Sequence, residues 1–242
     1  MLTAGDEQSA FIKFRQAVDE NTENVDAYLK MGDIFRNRGM ADKALQIHCG
    51  LKLRQNLGPE IQIEIEKCLA QDYIKAGQPE KAREILHKLV KDGSSRSWAA
   101  EKLLNLYTKD RRWKEACDVY ENSIPKGARG EGAAVLAGLK LMIGRDLQDD
   151  CDYHKARLLY KESLSLGRSN PLPYLYIAES YIEEKRAEDG LEFLKKLCEE
   201  SPRHAHLGFQ MIEETLFQLG RFGEIEDIYR GMLTVDPTNV QA

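Results

Sequence analysis

Few residues in this 242-residue sequence have the type and spacing to do chemistry. The histidines are His48, His87, His154, His204 and His206. Only His204 and His206 are close neighbours, and two residues apart on a helix they point away from each other, so they cannot chelate one ion. The cysteines, Cys49, Cys68, Cys117, Cys151 and Cys198, are odd in number and contain no Cys-x-x-Cys pair. That argues against a disulfide framework or a zinc ribbon. Asp149, Asp150 and Asp152 form an acidic turn beside Cys151, but a calcium loop needs a fixed ladder of oxygen ligands and a Gly at the bend. The run GARGEG at 127–132 lacks the Lys-Ser/Thr of a phosphate loop and follows no strand. These patterns predict no enzyme, no metal and no cofactor, with His48 as a packed core residue.

The elements that carry these side chains are helices. Hydrophobic residues make up 42% and charged residues 31% of the chain, the latter above the ordinary ~25% and suited to a shape with much surface per residue. The formal net charge of −5 argues against a general nucleic-acid binder. No apolar run approaches the ~18 residues of a membrane helix, which predicts no direct membrane insertion by this segment.

A pattern recurs along the chain. Ala44, Ala82, Ala116, Ala156 and Gly190 each precede a large residue by four positions, at separations of 38, 34, 40 and 34 residues. Nine residues before them stand Phe35, Tyr73, Tyr107, Leu147 and Tyr181; five before them stand Gly39, Gly77, Arg111, Cys151 and Lys185. Gly32 lies at the centre of a helical run, where Gly costs ~1 kcal/mol relative to Ala. The pattern assigns it to the close crossing of two helices, with Ala70, Gly144 and Ala178 in the same place elsewhere.

A period of 34 with small, turn and aromatic residues in fixed places resembles the tetratricopeptide repeat. The resemblance implies an all-α right-handed superhelical solenoid of antiparallel helix pairs. It gives a single array over 1–242, with a partial first unit at 1–24 (Gly5, Ala10, Phe14 and Ala17) and units at about 25–58, 63–96, 97–130, 131–170, 171–205 and 206–242. Extra residues near 56–62 and 125–132 break the period, and the second is the hinge candidate. In such arrays the first helices line a concave groove that holds a peptide or helix of a protein partner. The expected groove residues are Lys30, Asp33, Arg36, Lys67, Lys75, Asn105 and Lys109, charged or amide-bearing, before the hinge. After it come Arg145, Leu175, Tyr176, Leu207, Met211 and Phe217, mostly apolar. A carboxylate clamp of the chaperone-binding kind is disfavoured, because Gln71 follows Lys67 and Glu101 would repel a carboxylate.

Residues 32–48 carry a closer resemblance. Gly32, Ile34, Phe35, Arg36, Arg38, Gly39, Lys43, Ala44, Leu45, Ile47 and His48 are similar to a repeat of the lipopolysaccharide assembly protein B family. That family has a membrane helix, a cytoplasmic repeat array and a rubredoxin-like metal ribbon. The resemblance implies a non-enzymatic scaffold that regulates lipopolysaccharide synthesis, with a membrane AAA protease and the lipid A pathway deacetylase as partners. It places this chain in the cytoplasm, as the repeat portion of a parent protein anchored to the inner membrane and facing the cytoplasm. The rival reading is a generic adaptor or co-chaperone-like module with an unrelated partner.

Overall fold

A computed structural model describes residue 12 and residues 24–93, 95–123, 131–167 and 170–235. Among these residues there is no strand. The helices are α1 (Val25–Asn37), α2 (Ala41–Lys52), α3 (Pro59–Lys75), α4 (Pro79–Asp92), α5 (Arg96–Lys109) and α6 (Trp113–Ser123). They continue with α7 (Glu131–Asp149), α8 (Tyr153–Leu166), α9 (Leu172–Glu183), α10 (Ala187–Glu200), a 3-10 segment (Pro202–Gly208), α11 (Phe209–Gln218) and α12 (Glu224–Val235). The chain divides into two compact units, one of residues 1–112 and 122–124 and the other of residues 113–121 and 125–242. Residues 1–11 and 13–23 of the leading partial unit and hinge residues 125–130 lie outside the described residues.

Local chemistry sets the helix ends. The Asn24 side chain caps α1 by accepting from the Ala27 amide, and Asp152 caps α8 by accepting from Lys155. Gly58 followed by Pro59 ends the α2–α3 loop and starts α3, since Pro at the first helical position lacks only an amide that would be unpaired anyway.

Six first helices end in one kind of turn. The amides of Met40, Gln78, Arg112, Asp152, Arg186 and Arg221 donate to the carbonyls of Phe35, Tyr73, Tyr107, Leu147, Tyr181 and Leu216 at 2.8–2.9 Å. The preceding amide in each case donates three residues back. This is the Schellman arrangement, which requires one left-handed residue. Gly39, Gly77 and Gly220 supply it at no steric cost, whereas Arg111, Cys151 and Lys185 adopt it at φ 58°, 62° and 65°. Lys185→Gly should therefore raise stability by about 0.5–1 kcal/mol, read as a higher urea midpoint. An unchanged or lower midpoint would refute the strain assigned to this turn.

In the first unit Leu29, Leu51, Ile65, Cys68 and Leu69 form the core around α1–α3. In the second, Leu141, Ala156, Tyr160 and Ile177 form one cluster, and Ala178, Leu191, Leu194, Leu197, Ile212 and Leu216 anchor another. The reference residues Ala44, Ala82, Ala116 and Ala156 have no exposed surface. Such burial of the smallest side chains lets paired helices approach closely.

Candidate functional site

The residues expected to face a ligand lie on the first helices except Leu207, which falls in the 3-10 segment before α11, and burial sorts them. Lys30, Lys75, Asn105 and Lys109 are exposed, as are Leu207 (46%) and Phe217 (74%). Lys67, Asp33, Arg145, Tyr176 and Met211 are half-buried. Arg36 and Leu175 depart from the expectation, with 8% and 9% exposure. Leu175 belongs to the core cluster of α9, α10 and α11, because its place on α9 faces the following helices.

Arg36 is held by two carboxylates. One guanidinium nitrogen donates to Asp72 at 2.8 Å and another to Asp33, in a contact with no room for a ligand between. A third bond runs from Arg36 to the Cys68 carbonyl at 3.4 Å. Asp72, fully buried, also meets His48 Nδ1 at 2.5 Å through its other oxygen, and His48 Nε2 faces the Leu29 carbonyl at 3.3 Å. His48 is thus a packed residue and also the end of a charged chain linking α1, α2 and α3. The signal in the sequence was Asp72 itself, an acidic residue on the same helical face as Cys68 and Leu69.

The ring of His48 also explains Gly32. A Cβ at Gly32 would overlap its imidazole, and one at Gly144 would overlap the Tyr160 ring. At Gly190 a Cβ would come within 3.0 Å of the Ala178 carbonyl oxygen.

Asp33, His48 and Cys68 place potential ligand atoms within 4.8 Å of one another, a grouping the sequence reading missed. Arg36 occupies this space with its positive charge, and burial, then the Asp33 carboxylate, pushes the Cys68 thiol up to about 12. A metal needs the thiolate and would compete with the guanidinium for Asp33, so the residues as arranged favour the ion-pair network over a cation.

Two further arginines tie successive repeats. Arg83 of α4 pairs with Asp110 after α5 and lies 5.4 Å from the Tyr107 ring. Arg157 of α8 pairs with Glu184 after α9 at 2.8 Å and lies 4.1 Å from the Tyr181 ring. Both follow the reference alanine by one residue, and both reach an acidic residue three places beyond the next aromatic. A planar guanidinium suits this double role of ion pair and stacking.

Two aromatic features remain accessible on the first helices. The Trp98 ring on α5 stands between Lys67 and Lys102, whose ammonium groups lie 5.8 and 6.0 Å from its centroid. Phe217 on α11 meets Phe222 (60% exposed), which the sequence reading missed, at 6.1 Å between centroids. On α7 the other expected cation, Arg145, pairs with Glu179 and lies 4.5 Å from the Tyr176 ring.

Helix hairpins with shared Schellman turns and small-residue crossings define a helical-repeat protein of the tetratricopeptide type. Residues 100–132 match the tetratricopeptide repeat family and residues 68–94 the PPR repeat family. A solved structure of the C-terminal part of a tetratricopeptide repeat-containing protein from Cytophaga hutchinsonii shares the fold, with a TM-score of 0.53 over 97% of this chain and 92% of that one, at 14% identity. In sequence the chain is similar to lipopolysaccharide assembly protein B of Escherichia coli K12, 23% identical over 224 residues. It is 26% identical over 206 residues to the Haemophilus influenzae protein of the same name. These matches cover 92% and 84% of this chain but only 57% and 52% of the relatives. Among the described residues no helix is long and apolar enough to cross a membrane.

Proposed function

We propose that this chain is the interaction scaffold of a regulator of lipopolysaccharide synthesis. In this reading a helix or extended segment of a partner protein docks on the first-helix faces. Leu207 and Phe217 anchor it, with Met211 and Tyr176 beside them, and Lys30, Lys67, Lys75, Asn105 and Lys109 set its register and speed the encounter. The whole protein, held at the cytoplasmic face of the inner membrane, brings a membrane AAA protease to the deacetylase that commits flux to lipid A. Similarity to the lipopolysaccharide assembly proteins supports the pathway.

The observation that carries the scaffold is Phe217, a large aromatic left 74% exposed on a first helix beside an exposed Phe222. Exposed aromatic pairs of this kind are frequent anchors of protein interfaces. Tyr176 is a poorer probe, because it packs partly into the core and under Arg145, so its removal also disturbs the fold.

Phe217→Ser should cost about 1–3 kcal/mol of partner affinity, measured by pull-down and titration with the whole protein. Leu158→Ser, which alters an exposed second-helix residue, should leave it unchanged. A loss with Leu158→Ser and none with Phe217→Ser overturns the assignment of the face. In cells lacking the whole protein, the deacetylase should persist longer. An unaltered lifetime overturns the pathway while leaving the scaffold standing.

A further inference from the structure

The first-helix face of the second unit carries a charge that the scaffold reading does not use. On α9 the residues turned outward are Leu172, Tyr176, Glu179 and Glu183, exposed or half-buried at the spacing of one helical face. On α11 they are Gln210, Glu213, Glu214, Phe217 and Gln218, all exposed. At about 100° per residue these last fall in one arc, with Phe217 between Glu213 and Glu214. The two helices are neighbours. A Cβ at Gly208, the residue before α11, would lie 3.6 Å from Leu175 of α9, and Tyr176 and Met211 pack on one core cluster.

Neither helix carries a lysine, arginine or histidine. Their carboxylates are held mostly by neutral donors. Gln148 donates to Glu183 at 2.9 Å, Tyr229 to Glu213 at 2.6 Å and Gln210 to Glu214 at 2.8 Å. Among the described residues only Arg145 pairs with one of these acids, Glu179. The other bases nearby in sequence stand outside the two helices: Lys185 and Arg186 in the turn after α9, and Arg203 in the 3-10 segment. Arg186 is taken by Asp189 and Glu184. Glu183, Glu213 and Glu214 thus keep charges that no ion pair among the described residues neutralises.

An apolar partner that closes on Phe217 carries the flanking carboxylates out of water with it. A carboxylate desolvated without a cation costs affinity, whereas one that meets a cation gives specificity and a faster encounter. Anionic partners, whether acidic peptides, nucleic acids or phospholipid surfaces, are repelled. A second copy of the same face would set acids against acids. We propose that the occupant of this face is a basic amphipathic segment of a partner protein. Its apolar side chains sit on Phe217, Phe222 and Leu207, and lysines or arginines beside them meet Glu183, Glu213 and Glu214. This rests on the docking face proposed above.

Three peptides of one apolar pattern, each about 18 residues long and helix-forming, test the charge by carrying lysine, glutamine or glutamate at every polar position. Fluorescence anisotropy reads their binding to the whole chain. The lysine peptide should bind roughly tenfold or more tighter than the glutamine peptide, and the glutamate peptide least, with the gap narrowing as sodium chloride rises. Glu183→Gln with Glu214→Gln should weaken the lysine peptide roughly threefold to tenfold. Glu84→Gln with Glu200→Gln, two exposed acids of second helices, should leave it unchanged. Phe217→Ser should weaken the lysine and glutamine peptides alike. Equal affinity of those two peptides, both sensitive to Phe217→Ser, overturns the basic partner and leaves the docking face standing. A lysine peptide that does not saturate, or that ignores Phe217→Ser, also overturns the basic partner, while the face itself stands or falls by the whole-protein pull-down. Equal weakening by the two glutamate pairs assigns the effect to net charge and overturns it too. Self-association of the chain in sedimentation, abolished by Phe217→Ser, makes the occupant a second copy and overturns it likewise. The peptide series on the unaltered chain decides the matter even if a variant fails to fold.

Discussion

Asp72→Asn should destabilise the chain by about 3–5 kcal/mol, the cost of breaking a fully buried ion pair on one side. The two oxygens of Asp72 face two donors, Arg36 at 2.8 Å and His48 at 2.5 Å. Asn keeps the shape, but it presents an NH2 group to one of these donors and no charge to either. Arg36 then retains only Asp33, whose side chain is 28% exposed, and the Cys68 carbonyl. Asp110→Asn is the matched comparison. It also removes a carboxylate from a buried arginine, Arg83, but Asp110 is 37% exposed and Arg83 has Glu80 as a second partner. Water substitutes there, and the cost should be about 1 kcal/mol or less. Urea unfolding by circular dichroism reads both. Equal losses in the two variants would show that Asp72 is not the keystone of its network.

Gly32→Ala should be the most damaging single-methyl change in the first unit. The new Cβ overlaps the His48 imidazole, which is fixed at Nδ1 by Asp72 and lies against the Leu29 carbonyl at Nε2. A ring held at both ends cannot yield without breaking the network, so overpacking adds to lost hydrogen bonding. We expect a net loss of about 2–3 kcal/mol, after the gain in helix propensity is counted. Gly50→Ala, on α2, meets nothing within 4 Å and should instead stabilise by about 0.5–1 kcal/mol. Opposite shifts of the melting temperature are the expected result. If both variants gain stability, the close crossing at Gly32 is not what constrains that position.

The repeat itself was legible in the sequence, because its signals are local. Phe35, Tyr73, Tyr107, Leu147 and Tyr181 end their helices four residues before a left-handed residue, and that geometry depends on a few consecutive dihedrals. Arg111, Cys151 and Lys185 could be aligned with Gly39 and Gly77 by spacing alone, although their types do not favour the conformation. Small residues at Gly32 and Ala44 were likewise readable as a crossing, since close helix contact excludes large side chains. What only the tertiary structure decided is which polar groups are spent inside the protein. Arg36 and Lys30 sit on one helix as equally plausible ligand contacts, yet Arg36 is buried against Asp72, which stands 36 residues away, and Lys30 stays in solvent. Leu175 passed into the core by its contacts with later helices, whereas Phe217 did not. Charge and hydropathy fix how strongly a side chain seeks a partner; whether a partner lies within reach depends on repeats that meet only when the chain is folded.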